Sequence, residues 1–91
     1  MNTITIDFAG AECIEQIHST LKKNLDFPEW YGENLDALWD LLTGYLEPCT
    51  IIIKGSEEVS DEITEYVQKV VGVFLEAERI FKQIKVNIIM R

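Results

Sequence analysis

Ile4 and Ile6 alternate with threonine in TITID (residues 3–7), the period of a short strand, and Ala9-Gly10 marks its exit. The spacing then changes. Ile14, Ile17, Leu21 and Leu25 recur at helical intervals, which predicts an amphipathic helix over residues 13–25 that ends near Asn24, with Lys22 and Lys23 favourably placed in its last turn. Pro28 blocks continuation, so residues 26–33 read as a loop. Asn34 is a good N-cap for a short helix of Leu35 to Thr43, closed by Gly44 just beyond its C-cap. CTIIIK (49–54) is an apolar, β-branched run and predicts a buried second strand. Turn residues follow, and a long helix starts around Ser60 with Asp61 and Glu62 in its first turn. One face of it carries Ile63, Val67, Val70, Phe74 and Ala77, and it runs to about Ile80. IKVNIIM (84–90) predicts a third strand. Strands separated by helices imply right-handed βα units, hence a small α/β layer structure of three parallel strands.

The short helix carries two acids that local stability does not favour. Stepping about 100 degrees per residue from Leu35 places Leu38, Trp39 and Leu42 within about 60 degrees of it. Asp36, Asp40 and Thr43 fall together at about 80 to 140 degrees, on the face pointing out. The helix dipole helps Asp36, near the N-terminus. In the last turn it costs Asp40 roughly 0.3 to 1 kcal/mol, and the like-charged i,i+4 pair adds roughly 0.2 to 0.5 kcal/mol. Either the face is simply solvated or the acids serve a partner. Trp30, Tyr31, Trp39 and Tyr45 flank them, and a chain this short cannot bury all four rings completely, although Tyr31 and part of Trp39 fit the core. Rings that exclude water around a charge are the composition of a protein-binding surface.

Composition sharpens this picture. Ninety-one residues suffice for one domain with one core, here 1–91. The formal net charge of −8 argues against direct binding of nucleic acid, whose phosphates need a cationic face, and favours a basic partner. The charge is local: residues 24–53 hold no Lys or Arg but contain Asp26, Glu29, Glu33, Asp36, Asp40 and Glu47. No basic leader and no bilayer-length apolar stretch is evident, so the expected compartment is the cytoplasm, with no membrane partner. Cys13 and Cys49 match no metal or redox spacing and read as reduced, buried hydrophobes. His18, the one histidine, lies at the edge of the first apolar stripe and reads as partly buried and structural.

Two other chemistries need weighing. Asp36 and Asp40 could form an acid/base pair, yet the chain has no Gly-rich phosphate loop and no activated Cys or Ser signature. Asp36, Asp40 and Glu47 could be pooled around Ca²⁺, but they lack the alternating oxygen ligands of a calcium loop. No catalytic residue, metal or cofactor is therefore assigned.

The segment HSTLKKNLDFPEWYGENLDALWDLLTG (18–44), and YGENLDALWD (31–40) within it, closely resembles the barstar-like family, intracellular inhibitors of extracellular bacterial ribonucleases. Beyond this segment the similarity is looser, but the order of strands and helices continues to agree. The resemblance implies a two-layer fold with a three-stranded parallel sheet packed with helices, and a 1:1 complex in which the loop and short helix plug the nuclease active site. It implies no catalysis. It places Asp40 where a substrate phosphate would sit, pairs Asp36 with further basic groups and gives Glu76 a more distant contact. The nuclease-binding set it implies is Trp30, Gly32, Asn34, Leu35, Asp36, Trp39, Asp40, Thr43, Gly44, Tyr45, Glu47 and Glu76. Helical projection of the third helix puts Glu76 about 140 degrees from the core stripe, hence exposed. The family often has a cis bond before the proline matching Pro48. Trp30 stands where the family usually has Tyr, Tyr45 replaces a Trp, and Leu41 replaces a Cys that faces away from the partner. The segments around Glu47-Pro48 and 55–60 look shorter. These departures leave the target open, the alternative being an interaction or immunity module for another basic toxin or protein.

Overall fold

Three strands and three helices follow in the order the periodicities predict, and the computed structural model of the chain describes residues 2–55 and 59–90. Strand β1 (Asn2–Asp7) leads through Gly10, whose φ of 82° turns the chain, to helix α1 (Ile14–Leu25). Helix α2 (Leu35–Gly44), strand β2 (Cys49–Gly55), helix α3 (Asp61–Ile80) and strand β3 (Ile84–Met90) follow. The Ser60 side chain accepts from the Ile63 N–H and caps α3, whose first turn carries Asp61 and Glu62 as its dipole favours. Part of the turn expected between β2 and α3 falls on residues 56–58, outside the described residues.

The sheet order is β1-β2-β3, all parallel, with Ile4 opposite Ile51 and Ile51 opposite Val86. Ile6, Ile51, Ile53 and Ile84 are fully buried, and with Ile17, Leu21, Val70 and Phe74 they form the layer between sheet and helices. Helix α1 packs on β1, α3 on β3, and α2 chiefly on α3. The outboard position of α2 leaves one of its faces to solvent.

Three details differ from expectation, and a fourth decides what the sequence left open. Strand β2 is buried at alternate residues only, with Thr50 and Ile52 half-buried, because β1 and β3 likewise turn Thr3, Thr5, Asp7, Lys85 and Asn87 outward. Gly44 lies inside α2, and Tyr45, which caps it with φ −117°, stays right-handed, so the helix needs no left-handed closure. Cys13 is the N-cap of α1 and is exposed rather than buried, while Cys49 is buried, and burial pushes its thiol pKa up. No peptide bond among the described residues is cis, and Glu47-Pro48 is trans.

Candidate protein-binding surface

Two local devices fix the segment that enters α2. Helix α1 ends on Asp26 in the left-handed region (φ 54°), and the Phe27 N–H donates to the Lys22 carbonyl at 3.0 Å, the closure of a helix by a six-to-one bond. The chain then turns through Pro28, whose carbonyl accepts from the Tyr31 N–H at 3.0 Å. Phe27 and Tyr31 are both buried with ring centroids 4.9 Å apart, so they anchor the loop from below. Trp30 between them is turned out and 73% exposed.

Loop and helix meet closely at Gly32, where a Cβ would stand 3.3 Å from the Ala37 Cβ, a tight contact that glycine avoids. Glu33 adopts φ 52°, a left-handed conformation unfavourable for a residue with a Cβ, and it delivers Asn34 to the helix start. The Asn34 Oδ1 accepts from the Ala37 N–H at 2.7 Å, and its Nδ2 donates to the Gly32 carbonyl at 3.2 Å. Replacing Asn34 with alanine removes both bonds. The expected cost is about 1 kcal/mol of folding stability, read as a lowered urea midpoint with an unchanged slope.

Helix α2 separates its faces as the projection predicts. Leu38, Leu41 and Leu42 are buried, whereas Asp36 and Asp40 are exposed. Leu41 is thus directed away from the acidic face. Leu35 and Trp39 are half-buried, and the Trp39 ring meets Phe81 edge-on with centroids 6.3 Å apart. The Thr43 hydroxyl donates to the Trp39 carbonyl at 2.8 Å and is half-buried. Tyr45 is 48% exposed, and its hydroxyl donates to the Asp26 carbonyl at 3.3 Å, which ties the far end of α2 back to the end of α1. Trp30, Gly32, Asn34, Asp36, Asp40, Gly44, Tyr45 and Glu47 are all exposed and run along one continuous stretch of loop and helix.

The electrostatics are one-sided. Among the described residues the ion pair is Glu76 with Arg79, and neither Asp36 nor Asp40 has a cationic partner there. Glu76 is exposed on α3 but not free: Arg79 binds both of its oxygens, at 2.5 and 3.2 Å, and holds its carboxyl below the usual range. Sequence periodicity located Glu76 but could not show this pairing, although the i,i+3 spacing to Arg79 permits it. His18 is also more deeply placed than expected. It is completely buried, bonded to the hydroxyls of Tyr31 and Tyr66, and its pKa is lowered by burial against the opposing pull of the Glu33 carboxylate. Among the described residues no three His, Cys, Asp or Glu side chains are grouped to hold a metal ion, and no helix is long and apolar enough to cross a membrane.

Comparison with known proteins agrees with the fold. The family model described as Barstar (barnase inhibitor) matches residues 1–91. The Bacillus subtilis (strain 168) protein named "Putative ribonuclease inhibitor YrdF" is 43% identical over 83 residues, which cover 90% of this chain and 91% of that protein.

Proposed function

This chain belongs to the barstar family, and from that premise we propose that it inhibits a secreted bacterial ribonuclease, one to one, by filling the cationic active site with the 27–34 loop and the outer face of α2. Asp40 takes the place of a substrate phosphate, Asp36 meets further basic groups of the enzyme, and the protein acts in the cytoplasm of the cell that makes the enzyme. The observation that carries this reading is that Asp36 and Asp40 are exposed, unpaired among the described residues and flanked by exposed Trp30 and Tyr45. Their like charge, unfavourable in the free protein, is relieved when a cationic cleft arrives.

The surface has no pocket-bound chemistry of its own in this reading: inhibition is occupancy. Gly32 and Asn34 hold the loop close to the helix, Leu35 and Trp39 support the acids from beneath, and Thr43, Gly44, Tyr45 and Glu47 extend the contact along the helix end. Glu76 contributes only after exchanging Arg79 for a cation of the enzyme, so its contact is the weaker one.

Titrating the purified chain into a panel of microbial ribonucleases, with residual RNA cleavage as the readout, tests the proposal. Stoichiometric loss of cleavage with at least one enzyme is expected, and indifference of every enzyme in the panel would leave the reading without support. Steering by the acidic face also predicts that added salt slows association, since exposed charges are screened beyond about 10 Å at 0.1 M. Stopped-flow association rates should fall with ionic strength while dissociation rates change little.

A further inference from the structure

One buried polar connection ties the proposed inhibitory loop to the body of the protein. His18 on α1 places Nδ1 2.7 Å from the Tyr31 hydroxyl and Nε2 2.5 Å from the Tyr66 hydroxyl. Tyr31 belongs to the loop, directly after exposed Trp30, and Tyr66 belongs to α3. A single imidazole therefore joins three segments that are far apart in the chain. Tyr31 is itself buried, so the connection is shielded from water on the loop side.

The chemistry of this connection depends on charge. A neutral imidazole has one N–H and one bare nitrogen, so one phenol accepts from the ring and the other donates to it. A protonated ring has two N–H groups. Both phenols must then accept, and the hydroxyl proton formerly given to the ring must turn elsewhere, at a high cost where the donor was buried Tyr31 and a lower one where it was half-buried Tyr66.

We propose that neutral His18, assisted by Tyr66, is a positioning residue for the 27–34 loop, and that protonating its ring releases the loop from the conformation that binds a partner. The proposal rests on the reading of this loop as the inhibitory surface. From the loop the ring faces Tyr31 and the Glu33 carboxylate, and from α3 it faces Tyr66, which has exposed Glu62 and Lys69 about one turn on either side. On α1 the neighbours one turn away are exposed Glu15 and half-buried Lys22. Glu33 favours the cation, but burial outweighs it and holds the ring below its ordinary pKa. The unfolded or released loop then binds the proton more readily than the docked one. The stabilisation is complete above about pH 6.5, the ordinary histidine value, and is lost as the pH falls below it.

Because the chain has one histidine, its ring C–H resonance reports protonation without ambiguity. In the parent protein the resonance is expected to titrate below about pH 6.5, and the amides of residues 27–34 should shift with the same midpoint. Binding should weaken over that range by no more than about tenfold per pH unit, the limit for one proton. Glutamine offers a donating NH2 and an accepting carbonyl and does not ionise, so His18→Gln is expected to bind at neutral pH and to flatten the response. Tyr66→Phe keeps the ring packing and should speed amide exchange in 27–34 at neutral pH while leaving β2 protected, a readout that survives if the glutamine variant does not fold. A ring that titrates at or above its ordinary value, or loop amides unmoved while it titrates, would overturn the proposal. The loop response is read in the free chain, so a clear response together with no inhibited ribonuclease would uphold the positioning role and reject the ribonuclease as partner.

Discussion

Replacing Asp40 with alanine is expected to weaken binding to the proposed nuclease partner more than any other single change on the acidic face, by about 3 to 5 kcal/mol, or roughly a hundred- to several-thousand-fold in Kd. The magnitude follows from what the partner loses. Inside the proposed complex the cationic groups assigned to the carboxylate would be left desolvated and unpaired, and the cost of that exceeds the modest value of the pair itself. The free protein should respond in the opposite direction. Asp40 stands just before the last turn of α2, which runs to Gly44 rather than Thr43, and one turn from Asp36, so its removal relieves chiefly a like-charge repulsion of about 0.2 to 0.5 kcal/mol. Kd by calorimetry and stability by urea should therefore move apart, binding down and stability level or slightly up. A variant that binds like the parent would remove the acidic plug from consideration.

Leu38→Ala tests the other face of the same helix. Leu38 is fully buried, and its loss is expected to cost about 2 to 5 kcal/mol through lost transfer energy and the cavity left behind. For a small domain whose total stability is about 5 to 15 kcal/mol, that is a large share. The urea midpoint should drop steeply with no change in slope. Unlike Asp40→Ala, this change should weaken binding only as far as it depopulates the folded protein, because Leu38 does not reach the surface. A cost below about 1 kcal/mol would mean that α2 is not held by its apolar stripe.

The periodicities were sufficient for all six elements because each carries its own signal. The β-branched run of β2 and the stripe from Ile63 to Ala77 in α3 mark their elements without reference to the rest of the chain. The outward direction of Asp36 and Asp40 was likewise legible, since it follows from the helix period and the apolar identity of Leu38 and Leu42. What escaped the sequence depends on partners remote along it. The complete burial of His18 is decided by Tyr31 and by Tyr66, 48 positions away, and no local pattern announces either bond. Left-handed Asp26 and Glu33 carry no glycine to mark them; the tight closure of α1 and the approach of the loop to Ala37 impose those conformations. Cys13 is exposed as the extended N-cap of α1, outside the helix's apolar stripe, and the expectation that Gly44 would close α2 failed because Tyr45, held by the Asp26 carbonyl, does so instead.

The parallel register of the sheet also governs how the protein comes to be folded. Ile4 finds Ile51 just over half the chain away, and Ile51 then receives Val86 across the whole of α3. No neighbouring pair of strands can close as a hairpin, so every ladder is assembled only after a long segment has been gathered, at the entropic expense of a large loop. Folding is accordingly set on the slower side for a domain of this size, and the central strand, CTIIIK, stays uncovered until both its neighbours arrive. That unshielded interval, more than any weakness of the finished structure, is where this protein is most open to aggregation.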